Sequence, residues 1–295
     1  MTAQPPRVSC ILPAFNEGES VCPVIEKIRE LHPDFEVILV DDGSSDNTAE
    51  LAERSGARVI RHTYNIGNGA AVKTGIRNAK GSVIIMMDSD GQHPPEDIAR
   101  LLEDIGPYDM VVGARSKNAQ VSKFRSFGNW GLIRIAEFLT GAKIPDLTSG
   151  FRAIKKDKVM QYLHLFPNQY SYPTTITMCM LKSGNFVKFI PLDSIRRREA
   201  GTSNIKPFKD GMRFINIMIR IIMLFDPQKI FLPFGGGLIV LGILLAVYQL
   251  LTKDKVTGSV VLACLSGLFI VLAGLVAEQV SAIRRELSQF QRPSD

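Results

Sequence analysis

The sequence predicts an α/β chain: a mostly parallel sheet flanked by helices, then an amphipathic helix and a hairpin of two membrane-spanning helices. Three observations predict it. Short apolar runs alternate with amphipathic segments through the first 115 residues, acidic clusters close two of those runs, and two long uncharged stretches follow residue 229. Strand–helix alternation at this spacing argues a parallel sheet built with right-handed crossovers.

The strand candidates are Val8–Leu12, Val37–Val40, Arg58–Arg61, Val83–Met87 and Met110–Val112. Between them the helical pattern falls on Ser20–Leu31, Thr48–Ser55, Gly69–Ala79 and Glu96–Ile105. Met212–Phe225 is apolar but carries Arg213, Asn216 and Arg220 at spacings of three and four, one polar stripe on a helix that suits a membrane interface. A soluble amphipathic core helix would show the same pattern. Ile230–Leu251 and Gly258–Ala277 carry no charge, and at about 1.5 Å per residue each is long enough to span a hydrocarbon core of roughly 30 Å. The short link between them, Thr252–Thr257, forces an antiparallel hairpin with both flanks on one side. Those flanks hold Arg213, Arg220, Lys229, Arg284, Arg285 and Arg292, against Lys253 and Lys255 in the loop, which places the amino-terminal part in the cytoplasm. The expected organisation is a catalytic domain over 1–208, a juxtamembrane helix over 209–229, and a hairpin with a short cytoplasmic tail over 230–295 (spans 230–251 and 258–280).

The formal charge of +6 is concentrated in residues 182–229, where ten Lys and Arg stand against four Asp and Glu. A basic stretch beside the most apolar part of the chain points to anionic lipid headgroups rather than to nucleic acid. Cys10, Cys22, Cys179 and Cys264 have no metal-ligand spacing and read as reduced thiols, in keeping with a cytoplasmic domain. The amino terminus has no apolar segment of the signal-peptide kind. The expected location is the cell membrane, and a homo-oligomer is compatible with the sequence.

Asp41-Asp42-Gly43-Ser44-Ser45-Asp46 follows Val37–Val40, and Asp88-Ser89-Asp90-Gly91-Gln92-His93 follows Val83–Met87. In open α/β sheets ligands bind beyond the carboxyl ends of the strands. Carboxylates held there suit Mg²⁺ or Mn²⁺ shared with a diphosphate, because both cations prefer hard oxygen ligands. Asp, Ser and Gly also serve as ordinary turn and cap residues. Two such clusters at equivalent strand ends favour the ligand-binding reading.

A third strand end reads Pro13-Ala14-Phe15-Asn16-Glu17. With Asp41–Thr48 and Asp88–Pro94, it resembles family 2 glycosyltransferases of the GT-A fold. Gly113-Ala114-Arg115 and Asp146-Leu-Thr148-Ser149-Gly150-Phe151-Arg152 are similar to the dolichyl-phosphate mannose synthase-like, polyprenyl-phosphate branch. The resemblance runs over about residues 8–205, and the hairpin matches membrane-anchored members. It implies that Asp42 contacts the ribose or base of a nucleotide sugar, with Pro13, Asn16 and Glu17 lining the same pocket. Asp88 would face the sugar and nucleotide, while Asp90 and Gln92 would ligate the divalent cation. His93 reads as a helix lead-in.

On the acceptor side the resemblance implies that Arg115, Arg125 and Arg198 bind a phosphate, with the Ser149 hydroxyl at the same group. Guanidinium forks suit phosphate oxygens. Relatives that attack through a sugar hydroxyl need a general base, often a Glu-Asp pair. Here the corresponding stretch reads Tyr172-Pro-Thr174-Thr175-Ile-Thr177, without a carboxylate. The Gln-x-x-Arg-Trp signature of processive synthases is also missing, Trp130 being the one tryptophan. A phosphomonoester is largely dianionic at neutral pH and needs little base assistance. Asp146 is the nearest remaining candidate carboxylate. The expected activity is inverting transfer of a hexose from UDP-glucose or GDP-mannose to polyprenyl phosphate at the cytoplasmic leaflet. Transfer to a lipid or glycan hydroxyl, and a non-catalytic scaffold of the same fold, are the alternatives; an intact Asp88/Asp90/Gln92 set has no use in a scaffold.

Overall fold

The computed structural model describes residues 7–115, 123–169, 171–192, 207–253 and 255–290; the side chains of 123–129, 207–211, 213, 253 and 285–290 lie outside the description. The chain divides into two compact units, Met1–Ile215 and Asn216–Asp295.

In the first unit β1 (Val8–Ala14), β2 (Glu36–Asp41), β3 (Arg58–Arg61), β4 (Val83–Met86) and β5 (Met110–Arg115) appear where the apolar runs predict strands. The intervening helices are α1 (Gly18–Leu31), α2 (Thr48–Arg54), α3 (Asn68–Asn78) and α4 (Ile98–Glu103). α1 shows the logic: Val21, Val24, Ile25 and Ile28 recur at three and four residues and are buried, facing the sheet core of Cys10, Leu12 and Ile85. Each such side chain contributes about 1.5–3 kcal/mol by burial.

The long helix α5 (Lys123–Thr140) is followed by β6 (Arg152–Lys155), α6 (Lys156–Tyr162), α7 (Tyr172–Lys182) and β7 (Val187–Leu192). The sheet order is β3-β2-β1-β4-β6-β5-β7, with β6 antiparallel to both of its neighbours and the other pairings parallel. That reversal positions the site. Because β6 runs against β4 and β5, its first residue, Arg152, pairs with Met86 and Val112 near their carboxyl ends. The segment leading into β6, Asp146–Phe151, therefore arrives at the edge where Asp88 and Arg115 leave the sheet. β7 ends at Leu192 opposite Arg115.

α8 (Pro207–Phe225) occupies the juxtamembrane stretch. Its Met218, Ile221 and Ile222 are buried in the protein, so part of the apolar face expected to meet the bilayer is already covered. In the second unit α9 (Gln228–Lys253) and α10 (Gly258–Phe290) are antiparallel partners, each long and apolar enough to cross a membrane. Glycines let their backbones meet: a Cβ at Gly235 would lie 2.8 Å from the Gly267 carbonyl oxygen, and one at Gly267 would lie 2.7 Å from that of Gly235.

Candidate active site

The loops after β1 and β2 are stitched together by the residues that make both look like ligand motifs. Asn16, in the left-handed region at φ 55°, accepts from the Ser45 N–H through Oδ1 at 2.8 Å, and its own N–H donates to Ser44 Oγ at 2.9 Å. The Glu17 N–H donates to Thr48 Oγ1 at 2.9 Å and the Gly18 N–H to Asp46 Oδ2 at 3.2 Å. Ser89 Oγ donates to the Pro13 carbonyl at 2.9 Å, tying the third loop to the first. The short polar residues thus give the rim its shape.

Asp42 is tied into the fold. Its carboxylate is buried, with Oδ1 accepting from the Ile66 N–H at 3.0 Å and Oδ2 from the Gly67 N–H at 2.7 Å. His62 Nδ1 lies 2.7 Å from Oδ1, and its Nε2 lies 2.9 Å from Thr74 Oγ1 on α3. A buried carboxylate requires such partners, and here they come from the protein. Asp42 therefore anchors the 62–67 loop. His62, which the sequence reading did not single out, completes this clamp.

Asp88, Asp90 and Gln92 lie in the segment that follows β4. Asp90 accepts the Gln92 N–H at 3.1 Å through Oδ1 and Gln92 Nε2 at 2.7 Å through Oδ2. Burial, then the neighbouring Asp88 charge and Glu17, push the Asp90 carboxyl above the usual range despite the Gln92 N–H and His93. This crowding of negative charge is what a divalent cation relieves. Asp90 and the Gln92 carbonyl supply two hard oxygens. Among the described residues no three His, Cys, Asp or Glu side chains gather into a metal cage. Two protein ligands, with phosphate oxygens and water completing the shell, is the usual way of holding Mg²⁺. The residues fit such a cation. His93 is not a bare lead-in: it is buried, stacked on Phe151 at 5.1 Å, with Nε2 3.7 Å from Asp88 Oδ2.

Across the edge, Arg115 closes on Asp146. Arg115 Nε donates to Oδ2 at 2.8 Å and Nη2 to Oδ1 at 3.1 Å, while Nη2 also reaches Thr148 Oγ1 at 2.6 Å. Asp146 also accepts the Thr148 and Ser149 N–H groups at 3.0 and 3.1 Å. Burial alone would raise its carboxyl, but the Arg115 hydrogen bond and charge, with the backbone donors, hold it below the ordinary range. Asp146 is thus an ionised anchor for Arg115 and a poor proton acceptor. The Ser149 hydroxyl donates to the Gly113 carbonyl at 2.6 Å inside the protein. Arg125 belongs to α5 but its side chain lies outside the described residues, as does all of Arg198.

Arg152 is a further participant. The guanidinium is fully buried, and burial lowers its pKa to about 10, so it stays charged at neutral pH. It donates to the carbonyls of Ser149 and Pro173 (the latter at 3.2 Å) and to Thr177 Oγ1 at 3.1 Å, clamping the 146–150 segment to the start of α7.

Comparison with known proteins agrees with this architecture. Residues 9–163 match the family described as Glycosyl transferase family 2, and residues 226–283 match the GtrB C-terminal hairpin. The undecaprenyl-phosphate 4-deoxy-4-formamido-L-arabinose transferase of Pectobacterium carotovorum is 31% identical over 252 residues, 81% of this chain and 74% of that protein. The undecaprenyl-phosphate mannosyltransferase of Micrococcus luteus is 28% identical over 225 residues, 72% of this chain and 92% of that protein. Glucosyl-3-phosphoglycerate synthase from Mycobacterium tuberculosis, solved with Mn²⁺, UDP and glucosyl-3-phosphoglycerate, superposes with a TM-score of 0.58 at 19% identity, over 72% of this chain and 79% of that one. That last likeness is one of fold.

Proposed function

From the premise that the chain belongs to glycosyl transferase family 2, we propose that it moves a hexose from a nucleotide sugar to polyprenyl phosphate, with inversion, at the cytoplasmic face of a membrane. The relatives named for undecaprenyl phosphate and the matching hairpin support a lipid-phosphate acceptor. The observation that carries the reading is the Arg115–Asp146 fork. It presents a fixed guanidinium beside the donor edge while removing the nearest acceptor-side carboxylate from service as a base. An acceptor that arrives already ionised needs the first and not the second.

In this reading Pro13, Asn16 and Glu17 line the nucleoside pocket, and Asp88 faces the sugar. Asp90 and Gln92 would hold Mg²⁺ or Mn²⁺, which when bound neutralises charge on the departing nucleoside diphosphate. Arg115, with Arg125 and Arg198 as further candidates, orients the acceptor phosphate. A phosphate oxygen attacks the anomeric carbon from the face opposite the diphosphate, and the carbon–oxygen bond to the nucleotide breaks. The loop stitching at Asn16–Gly18 keeps the donor rim fixed while this happens. Residues 1–208 form the catalytic domain, 209–229 the interfacial segment and 230–295 the anchor; the arginine-rich flanks of the hairpin support a cytoplasmic catalytic domain.

The experiment is transfer from UDP-glucose and GDP-mannose, with Mn²⁺, to polyprenyl phosphate and to free polyprenol. The proposal expects an acid-labile glycosyl phosphate lipid and little product on the alcohol. Equal transfer to the alcohol would replace the phosphate acceptor with a hydroxyl.

A further inference from the structure

Tyr172 opens α7 from the floor of the site, with 3 % of its surface exposed. Its ring sits on Phe166 at 5.9 Å, and the helix it begins is held to the 146–150 segment by Arg152. The backbone just before it is forced: Ser171 is in the left-handed region at φ 85°, one of two non-glycine residues so placed among the described residues, the other being Asn16 on the donor rim. Strained backbone of this kind clusters where a side chain must be aimed.

The Tyr172 hydroxyl has no hydrogen-bond partner among the described residues. Buried hydroxyls are almost always satisfied, and an orphan of this kind calls for an acceptor within reach. One stands beside it. A Cβ at Gly150 would lie 3.1 Å from Asp88 Oδ2 and 3.3 Å from Tyr172 Oη, so both oxygens border the space that a side chain at that glycine would fill. Among the described residues no hydrogen bond to the Asp88 carboxylate is made either: His93 Nε2 is 3.7 Å away, beyond a good hydrogen bond, and the side chain is 37% exposed.

We propose that Tyr172 is a positioning residue for Asp88, its hydroxyl donating to one carboxylate oxygen so that the other is fixed toward the bound donor sugar. Gly150 is the residue that permits the approach. The inference rests on the reading of Asp88 as facing the donor, and it assigns a role to the stretch where hydroxyl-acceptor relatives keep a carboxylate.

The test reads release of nucleoside diphosphate from UDP-glucose or GDP-mannose with Mn²⁺, with polyprenyl phosphate or with water alone. A failure of the acceptor assignment would thus leave the comparison readable. Tyr172→Phe should lower kcat/KM about ten-fold or more, the scale of a lost hydrogen bond to a charged group. Its nucleoside diphosphate affinity should stay near wild type and its melting temperature should be unchanged or higher, because the hydroxyl is a buried group that the ligand-free fold leaves without a partner among the described residues. Combined with Asp88→Asn it should cost nothing beyond Asp88→Asn alone. Gly150→Ala, which wedges a methyl between the two oxygens, should reproduce the Tyr172→Phe defect. Wild-type rates in Tyr172→Phe, multiplying losses in the double variant, or a fall in melting temperature and nucleotide affinity together would each overturn the proposal.

Discussion

Arg115 and Asp146 are locked by a two-point fork, Nε to Oδ2 at 2.8 Å and Nη2 to Oδ1 at 3.1 Å, with the carboxylate also bonded to the N–H groups of Thr148 and Ser149. The pair joins the end of β5 to the segment that enters β6. It gives the guanidinium one orientation, and it converts a candidate base into a support.

The first prediction separates those roles. Arg115→Ala should lower kcat/KM for the acceptor roughly ten- to a hundred-fold, about 1.5–3 kcal/mol, with donor binding near wild type. Arg115→Lys should recover part of this, since an ammonium cannot form the fork. Asp146→Asn should show a smaller loss of the same kind. Steady-state kinetics with each substrate varied decides the matter, and an Arg115→Ala defect confined to donor affinity would remove Arg115 from the acceptor site.

The fork should also be visible in acid. The Asp146 carboxyl is depressed in the folded state, so its contribution is fully present above the ordinary aspartate value of about 3.9 and is lost as pH falls through the lower folded value. Asp109 is shifted the same way; burial opposes the shift, but the Phe186 N–H, Lys155 and Lys158 outweigh it. Stability should therefore decline below about pH 4. Asp146→Asn should be destabilised at pH 7 and by less at pH 3, as measured by denaturant unfolding. An equal deficit at both pH values would mean that the charge of Asp146 contributes nothing.

Much of this was legible in the sequence because the first half of the domain follows period and position together. Apolar runs gave β1 to β5, and acidic clusters marked their carboxyl ends. β6 and β7 did not declare themselves. β6 is four residues long and begins with a buried arginine, while β7 carries Pro191 at the sheet edge and is only partly buried. The intramolecular partners of Asp42 and Ser149 are not legible in the sequence, since which backbone groups a carboxylate or hydroxyl meets depends on loops that close over tens of residues. Arg152 and Tyr172 lay in stretches already singled out. What could not be read there was burial: nothing local distinguishes a solvated arginine from one clamping two segments inside the fold.

Burial makes Arg152 a stability residue as well. Arg152→Met should fill similar volume but strand the Ser149 carbonyl, at a cost of about 1–3 kcal/mol, while the Pro173 carbonyl keeps the Thr177 hydroxyl. Thermal unfolding of the full-length protein should report a clear drop. An unchanged melting temperature would show that the Ser149 carbonyl finds another partner.

Asp90→Ala should behave in the opposite manner, leaving the fold intact while removing activity. Its carboxyl is a strained, partly buried charge beside Asp88, so its loss relieves repulsion instead of opening a hole. Transfer should fall by about two orders of magnitude or more, the scale of losing strong electrostatic stabilisation. Mn²⁺ affinity, measured by calorimetry with nucleoside diphosphate present, should fall with it. Wild-type turnover in the variant would place the cation elsewhere.

The last prediction concerns the hairpin. In lipid no hydrophobic effect drives helices together, so their association depends on close packing at small residues. Gly267 is such a point: an added Cβ would lie 2.7 Å from the Gly235 carbonyl oxygen and 2.6 Å from Ile239 Cγ1. Gly237, on the same helix as Gly235, has nothing within 4 Å of its Cβ position. Gly267→Val should therefore force α9 and α10 apart, costing about 1–3 kcal/mol as over-packing does, while Gly237→Val should be tolerated. Unfolding of the full-length protein in detergent, followed through its far-ultraviolet signal, compares the two. Equal shifts for both variants would mean that the helices do not pack through the Gly235–Gly267 contact. A shift for Gly267→Val alone would tie the hairpin's cohesion to that one approach of two backbones.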